Sequence, residues 1–584
     1  MKPSKPQRIN SLLAVALLFL VVGIAASVTS GLVVGSRQIH PAINPRKEMD
    51  ILDAMISGLT LEEKIGQMLM TGFEGKALPP ESERFLRDYN IGGVVLLGRN
   101  ISDPFQTACL ANSLQEVAAS RRVPIGFLIS IDQEGGAVVR MTSGVTVFPG
   151  NMALGAVGSS DLARAAAAAA AREMLACGIN MNLAPVLDVN CNPRNPGIGT
   201  RSFSADPRVA AELGAAAVEG CQGEGVIATA KHFPGKGDVT VDSHIELPTV
   251  AHPMNRLAEV ELAPFRAAID RGVDVVMTAH VAFPAIEPEP GLPATLSKRV
   301  LTGLLRDDLG FKGVVITDDM LMGAIAKGWG VGEAAVRAVQ AGADIVLVCH
   351  ILSEQIAAAE ALLSAARAGA IEIERINASV RRILELKRRR GILSPRLVDP
   401  SVAASLTGTE EHRALALEIA RRAVTLVRNR SGVIPVDPSR AGRVLVVSPA
   451  IRALTQVEDD GAGECPLAAA VRQFVPSASS LSVSERPSSD EAAQALALAR
   501  GADLVIVGTY NAHLFTEQGA VIRELMGLGV PVVAAAMRNP YDISEFPDVD
   551  CYITGYGFRN CSMQAVAEAV FGRFEPAGKL PVAL

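Results

Sequence analysis

Between Lys231 and Pro248 the chain reads KHFPGKGDVTVDSHIELP, and these residue types define the chemistry within reach. The stretch holds Lys231, His232, Lys236, Asp238, Asp242 and His244, two of the chain's eight histidines. Asp242 and His244 flank Ser243, so an extended or turning loop sets a carboxylate beside an imidazole. That carboxylate would fix the ring tautomer and stabilise the protonated form, as a proton-transferring histidine requires. A solvated polar loop with one buried histidine is the bland alternative; it suits a lone histidine better than this cluster. The apolar run Gly225–Ala230 precedes the cluster, and Pro234, Gly235 and Gly237 break the chain after it. A buried strand that ends in a polar loop is where barrel and open α/β enzymes carry their reactive groups.

Three other stretches have the same form. Asp132-Gln133-Glu134-Gly135-Gly136 leads to Arg140. Its glycines let backbone approach a ligand and its acid can accept from two sugar hydroxyls, although a turn capped by Asp explains it equally. Asn195–Phe203 (NPGIGTRSF) is a rigid loop that projects Arg201 as a surface charge or a ligand clamp. Gly310–Met320 (GFKGVVITDDM) brings the paired acids Asp318 and Asp319 out of an apolar run. One of them could attack a carbon or hold a metal; a helix N-cap accounts for one acid and leaves the other unexplained. Gly235-Lys236-Gly237 lacks the G-x-x-x-x-G-K-[ST] spacing of a phosphate loop. A metal set of His232, Asp238, Asp242 and His244 lacks H-x-H and H-E-x-x-H spacing, so neither metal nor cofactor is expected.

Eight apolar runs would position these groups: Gly66–Phe73, Gly92–Leu97, Gly126–Asp132, Ile179–Asp188, Val226–Phe233, Val273–Val281, Gly313–Asp318 and Ala343–Cys349. Helical patterns such as Asp161–Cys177, Pro207–Glu224 and Gly332–Ala341 separate them. This alternation predicts a (β/α)8 barrel over 47–398, closed by a basic helix at Ile371–Arg390, and is also compatible with an open doubly wound sheet. In a barrel the strand ends converge, so Asp132, Asp188, Lys231, His232, His280, Asp318 and Asp319 share one face. Ser394–Asp399 reads as a linker. Over 399–584, a helix at Glu410–Asn429 and runs at Arg443–Ser448, Ala502–Val507, Val530–Ala536 and Cys551–Gly555 predict a smaller α/β/α sandwich. Its strand ends carry Asn511, His513 and Asn539 but no carboxylate–histidine cluster that matches the barrel's, which suits a packing partner or accessory module.

At 584 residues the chain exceeds one ordinary core. A net charge of −6 with both signs interspersed argues against a nucleic-acid partner. The eight cysteines form no CxxC pair and lie in apolar surroundings, which excludes a disulfide framework or a zinc ribbon. Lys2, Lys5 and Arg8 precede the uncharged run Leu12–Val28, so residues 1–46 are expected to be a signal peptide or membrane anchor with a spacer. The rest would then lie outside the cytoplasm, with membrane association through that segment. Oligomeric state is not encoded in any of these patterns.

DQEGG with Arg140, NPGIGTRSF, KHFPGKGD followed by VDSH, and GFKGVVITDD stand in the order found in glycoside hydrolase family 3. The chain resembles that family's bacterial β-N-acetylglucosaminidase branch, and Met55–Gln67 and Ala577–Val582 extend the likeness over nearly everything after the N-terminal segment. The Asp-Ser-His triplet is the most specific part, because other branches take a glutamate acid/base from the second domain. The resemblance implies Asp318 as nucleophile, Asp242 and His244 as acid/base dyad, and Asp132, Arg140, Arg201, Lys231 and His232 as holders of the terminal sugar. It implies retaining, exo-acting removal of terminal β-linked N-acetylglucosamine from cell-wall or chitin-type oligosaccharides, without metal or cofactor. Lys236 stands where many relatives carry His, and Ala137 where many carry Arg. A neutral imidazole repels anions less than a carboxylate does, so phosphate is an alternative acceptor to water. A β-glucosidase of the same family is the nearest other reading. A non-catalytic, membrane-anchored wall-binding protein would need neither the acid at 318 nor the dyad.

Overall fold

The computed structural model describes residues 45–458 and 465–584; the run Leu12–Val28 and the expected N-terminal anchor lie outside the described residues. Among the described residues no helix is long and apolar enough to cross a membrane. Each of the eight apolar runs contains one strand: β1 (Leu69–Thr71), β2 (Gly93–Leu96), β3 (Leu128–Ile131), β4 (Met181–Asn182), β5 (Ile227–Phe233), β6 (Val275–Thr278), β7 (Val314–Ile316) and β8 (Val346–Val348). All pair in parallel in the order β8-β1-β2-β3-β4-β5-β6-β7. The ring closes between β7 and β8 through a bridge from Ile316 to Ile345. The strands are short and buried throughout, as strands covered on both faces must be.

Helices form the outer layer, and their starts are written in the sequence. Asp103, Ser159 and Asp206 cap Pro104–Ala119, Ser160–Ala176 and Pro207–Gly223 by accepting from backbone N–H groups in the first turn. The basic closing helix runs Ile373–Arg389. Its Lys387 is fully buried and donates to Gln67 Oε1 and Gly92 O, both at 2.8 Å. Asp344, just before β8, receives Arg306, Arg375 and Arg382. Asp274, just before β6, pairs with Arg389 and Arg390. These ion pairs sit at the N-terminal ends of the strands and fasten the barrel floor, which leaves the C-terminal ends free for chemistry.

The second domain is a six-stranded sheet between helices. Its strands are β9 (Thr425–Asn429), β10 (Val444–Pro449), β11 (Ser479–Val483), β12 (Leu504–Thr509), β13 (Val532–Ala536) and β14 (Cys551–Thr554), in the order β9-β14-β13-β12-β10-β11. β9 alone is antiparallel, pairing with β14. Two of these strands depart from the sequence expectation. The helix placed over Glu410–Asn429 ends at Ala423, and the β-branched run that follows becomes the edge strand β9. β11 is an edge strand of mostly exposed serines, so it carries no apolar run to betray it. The helices Pro400–Leu406 and Glu410–Ala423 pack on barrel helices, and the latter also packs on Asn560–Val570 of the second domain.

Candidate active site

At the C-terminal ends of the barrel strands lies a cavity of about 380 Å3, lined among others by Asp132, Arg140, Arg201, Lys231, His232, Lys236, His244 and Asp318. The expected sugar-holding residues and two of the three expected catalytic residues thus meet in one space. Asp242 reaches it through His244.

The charged wall of the cavity is built from the segments 132–140 and 195–203 and from the end of β5. Glu134, its side chain 2% exposed, receives Arg201 through Nε and Nη2, each at 2.8 Å. Lys231 Nζ stands 2.6 Å from Asp132 Oδ1 and 2.7 Å from Glu134 Oε1. Arg140 Nη2 lies 3.8 Å from Asp132 Oδ2. Burial works against the Glu134 carboxylate, but Arg201 and Lys231 outweigh it and hold the group down at about 2. Asn195 shapes the loop that delivers Arg201: its Oδ1 accepts from Gly197 and Ile198 N–H at 3.0 Å, and its Nδ2 donates to Lys236 O and Gly237 O. A Cβ on Gly237 would stand 1.7 Å from Val189 O, so only glycine permits this crossing of two loops.

His232 is fully committed on one side. Its Nδ1 lies 2.8 Å from Asp188 Oδ2, while Asp188 Oδ1 accepts the Lys236 N–H at 2.6 Å. Burial lifts Asp188 to about 6 and depresses His232 well below its ordinary range. At neutral pH the pair is therefore a carboxylate accepting Nδ1–H from a neutral imidazole.

The Asp242–His244 pair forms as its spacing suggests. His244 Nδ1 is 2.7 Å from Asp242 Oδ1, and the same oxygen accepts the His244 N–H at 3.0 Å. Burial opposes the charge on Asp242, yet the bonds from His244 keep its carboxyl below the usual range. The loop is tied to the segment after β7: Gly323 N–H donates to His244 O and Ala324 N–H to Ser243 O, both at 3.1 Å. A Cβ at position 323 would meet His244 O at 2.6 Å, so a glycine there lets the dyad loop lie on the segment that carries Asp318.

Asp318 leaves β7 half-buried. Its Oδ1 accepts the Asp319 N–H at 2.9 Å, and Lys236 Nζ lies 3.8 Å from Oδ2. Burial raises its pKa, but Lys236, His280 and His244 together bring it below the ordinary value. Asp319 behaves oppositely: burial lifts it to about 6, and its Oδ1 takes the N–H groups of Leu321 and Cys349. His280 is buried beneath, its Nε2 3.0 Å from Asp319 O, and burial lowers it to about 4.

Several groups in or behind the cavity wall had no place in the sequence reading. Glu134 lay inside the DQEGG motif, but nothing in its spacing marked it as the buried partner of two cations, Arg201 and Lys231. Arg99, just past β2, and His350, just past β8, follow the strand-end rule and could have been found by it. Gln456 and Val457 come from the second domain and carried no signal. The second domain also holds one carboxylate–histidine pair that the sequence reading did not name. His513 Nδ1 lies 2.8 Å from Asp542 Oδ1, with Nε2 3.1 Å from Pro193 O, so the pair braces the barrel loop that leads to Arg201. Asp542 stands far along the chain from His513, which hid the pairing.

The suggested metal set does not assemble as one group. His232 is paired with Asp188, His244 with Asp242, and Asp238 with His252 at 2.5 Å. Among the described residues Asp319, Cys349 and His350 do bring ligand atoms within 4.8 Å of one another. Arg99 Nη1, however, is 3.1 Å from His350 Nδ1. A guanidinium there requires Nδ1 to accept, which puts the ring proton on Nε2 toward Asp319 and leaves no lone pair for a metal. A larger cavity of about 970 Å3 lies between the domains and holds none of the strand-end acids.

Residues 60–386 match the glycosyl hydrolase family 3 N terminal domain, and residues 424–584 match the glycosyl hydrolase family 3 C-terminal domain. The chain is 33% identical over 552 residues to a beta-N-acetylglucosaminidase/beta-glucosidase of Cellulomonas fimi, covering 89% of this chain and 93% of that one. It is 35% identical over 416 residues to beta-hexosaminidase A of Pseudoalteromonas piscicida, covering 65% and 69% respectively. Its fold superposes on a glycoside hydrolase family 3 beta-N-acetylglucosaminidase from Paenibacillus sp. str. FPU-7 with a TM-score of 0.86, at 43% identity over 90% of this chain and 99% of that one.

Proposed function

The chain belongs to glycosyl hydrolase family 3 and is a glycoside hydrolase, and we propose that it is a retaining exo-β-N-acetylglucosaminidase. One observation carries the reading: the Asp242–His244 pair, with 2.7 Å between Oδ1 and Nδ1, opens on the same cavity as the ionised Asp318. Asp318 attacks the anomeric carbon as the bond to the leaving oxygen breaks, and a glycosyl-enzyme forms. His244 gives the leaving oxygen its proton from Nε2, because Nδ1 is turned to Asp242. The neutral ring then takes a proton from water, the water oxygen attacks the same carbon, and Asp318 departs. Two inversions give net retention. Asp132, Arg140, Arg201, Lys231 and His232 hold the terminal sugar, and the Glu134 hub keeps two of these cations in place before substrate arrives.

The substrate is a cell-wall-derived or chitin-type oligosaccharide with terminal N-acetylglucosamine, a reading supported by the names of the relatives. Lys2, Lys5 and Arg8 before Leu12–Val28 support export, with both domains outside the cytoplasm. The name of the Cellulomonas fimi relative favours a second reading, activity on β-glucosides. A panel of aryl β-glycosides, followed by muropeptides and chitin oligosaccharides, separates the two. Turnover of N-acetylglucosaminides with the β-anomer released first, read by proton NMR, is expected. Preference for glucosides, or release of the α-anomer, would overturn the proposal.

A further inference from the structure

The second domain reaches the barrel cavity at one turn. Residues 450–458 leave β10 and cross to the barrel, where Gln456 and Val457 line the same space as Asp132, Arg201 and Asp318. The turn is fastened from below. Glu458, its side chain 2% exposed, accepts Arg538 Nη1 on Oε2 at 2.8 Å and Arg538 Nη2 on Oε1. Arg538 follows β13, its side chain 1% exposed, and its Nη1 lies 3.3 Å from the Tyr510 hydroxyl. Glu458 Oε2 also accepts the Leu454 N–H at 3.1 Å, and Glu458 N–H donates to Thr455 O at 3.1 Å. One carboxylate thus closes the turn and anchors it to the sheet.

A buried ion pair contributes little net stability, but it fixes geometry at a high cost if either partner is lost. What it fixes here is Gln456. That residue is exposed, and its side-chain amide makes no hydrogen bond among the described residues. Glu458 is also close enough to Arg201 to favour the charged guanidinium, which places the turn on the sugar-holding side of the cavity. A free amide on a fixed turn at that wall is suited to reading polar groups of a ligand.

We propose that Gln456 is a specificity-determining residue whose amide hydrogen-bonds a ring hydroxyl of the terminal sugar, with Arg538 as the residue that positions it through Glu458. The inference rests on the cavity being the site of glycoside hydrolysis. The second domain then completes the sugar pocket from outside the barrel, while the proton-transfer groups stay within it.

The test is made on the full chain with aryl β-N-acetylglucosaminides and their 3-, 4- and 6-deoxy analogues. Gln456→Ala should lower kcat/KM about tenfold on the intact sugar, the worth of one hydrogen bond, and leave kcat nearly unchanged. On one of the deoxy analogues the variant and the parent should perform alike, because the partner hydroxyl is already missing. Glu458→Gln, which keeps an acceptor for Leu454, and Arg538→Met should reproduce the rise in KM without loss of kcat. Gln456 is exposed, so its variant tests the idea even where Arg538→Met fails to fold. Gln456→Ala matching the parent on every substrate would overturn the proposal, as would a loss of equal size on all the analogues. A parent chain inactive on all glycosides would instead remove the function beneath it, a different result.

Discussion

Lys236 Nζ lies 3.8 Å from Asp318 Oδ2, with the lysine buried and the carboxylate half-buried on one cavity. The lysine is among the groups that hold Asp318 below the ordinary carboxyl range against the pull of burial. The proposed mechanism makes Asp318 the nucleophile; a nucleophilic carboxylate works only when ionised, so its pKa would set the acidic limb of the rate profile. Lys236→Met removes the cation, the Asp318 pKa rises, and the limb moves to higher pH. Activity near pH 5 should therefore fall more than activity near pH 7. Profiles of kcat/KM against pH for variant and parent check this; a limb that stays in place assigns Lys236 to substrate binding alone.

Asp318 and Asp319 are adjacent, yet their surroundings assign them opposite tasks. Asp319 takes two backbone N–H groups and is lifted to about 6, whereas Asp318 faces the cavity beside a cation. Asp318→Asn should lose roughly 10³-fold or more of activity while keeping the fold. A 2-fluoro glycoside should add its sugar mass to the parent and to Asp319→Asn, but not to Asp318→Asn. Intact-mass spectrometry reads this directly. Labelling of Asp318→Asn would move the nucleophile elsewhere.

The strand-end logic read from the chain anticipated which residues share one cavity, because each barrel strand announces itself by an apolar run that stops at a polar residue. Asp242 and His244 were legible for the same local reason: two residues apart, they had to meet on any tight loop. Glu134 and the His513–Asp542 pair were not, since their partners lie far along the sequence and only the closed barrel and docked second domain bring them together. β9 and β11 escaped because edge strands need not be apolar on both faces. Gln456 is the extreme case, an exposed glutamine whose meaning depends wholly on where a neighbouring ion pair holds it.

Glu134 supports the cavity wall and the fold together. Its carboxyl sits at about 2 against an ordinary 4.5, so it contributes stability that is present above 4.5 and lost as pH falls toward 2. Glu134→Gln keeps the shape but leaves Arg201 and part of Lys231 buried without their counter-charge. Removing one partner of a buried pair costs about 3 kcal/mol or more, so the denaturant midpoint of the barrel should drop clearly at pH 7. The gap between variant and parent should narrow at the acidic extreme, where the parent carboxyl is also protonated. A midpoint unchanged at pH 7 would mean that solvent already neutralises these cations.

His244 is the group whose role depends most on chemistry outside the usual pair of carboxylates. Its Nδ1 is occupied by Asp242, and in the proposed mechanism Nε2 carries the proton to the leaving oxygen. Leaving groups differ in how much they need that proton: an acidic phenol departs nearly unaided, whereas a sugar hydroxyl does not. His244→Ala should therefore lose about 10²–10⁴-fold on natural linkages and much less on activated aryl glycosides at the glycosylation step. Azide, which needs no base, should restore part of the lost turnover on the activated substrate by accepting the glycosyl group as β-glycosyl azide. Asp242→Ala should follow the same pattern more mildly, because the ring remains and loses only its orientation and charge support. The slope of log kcat/KM against the leaving-group pKa carries the distinction, steep in the His244 variant and shallow in the parent. Parallel slopes with no azide rescue would make His244 a binding residue, and the proton donor would have to be sought among the other groups lining the cavity.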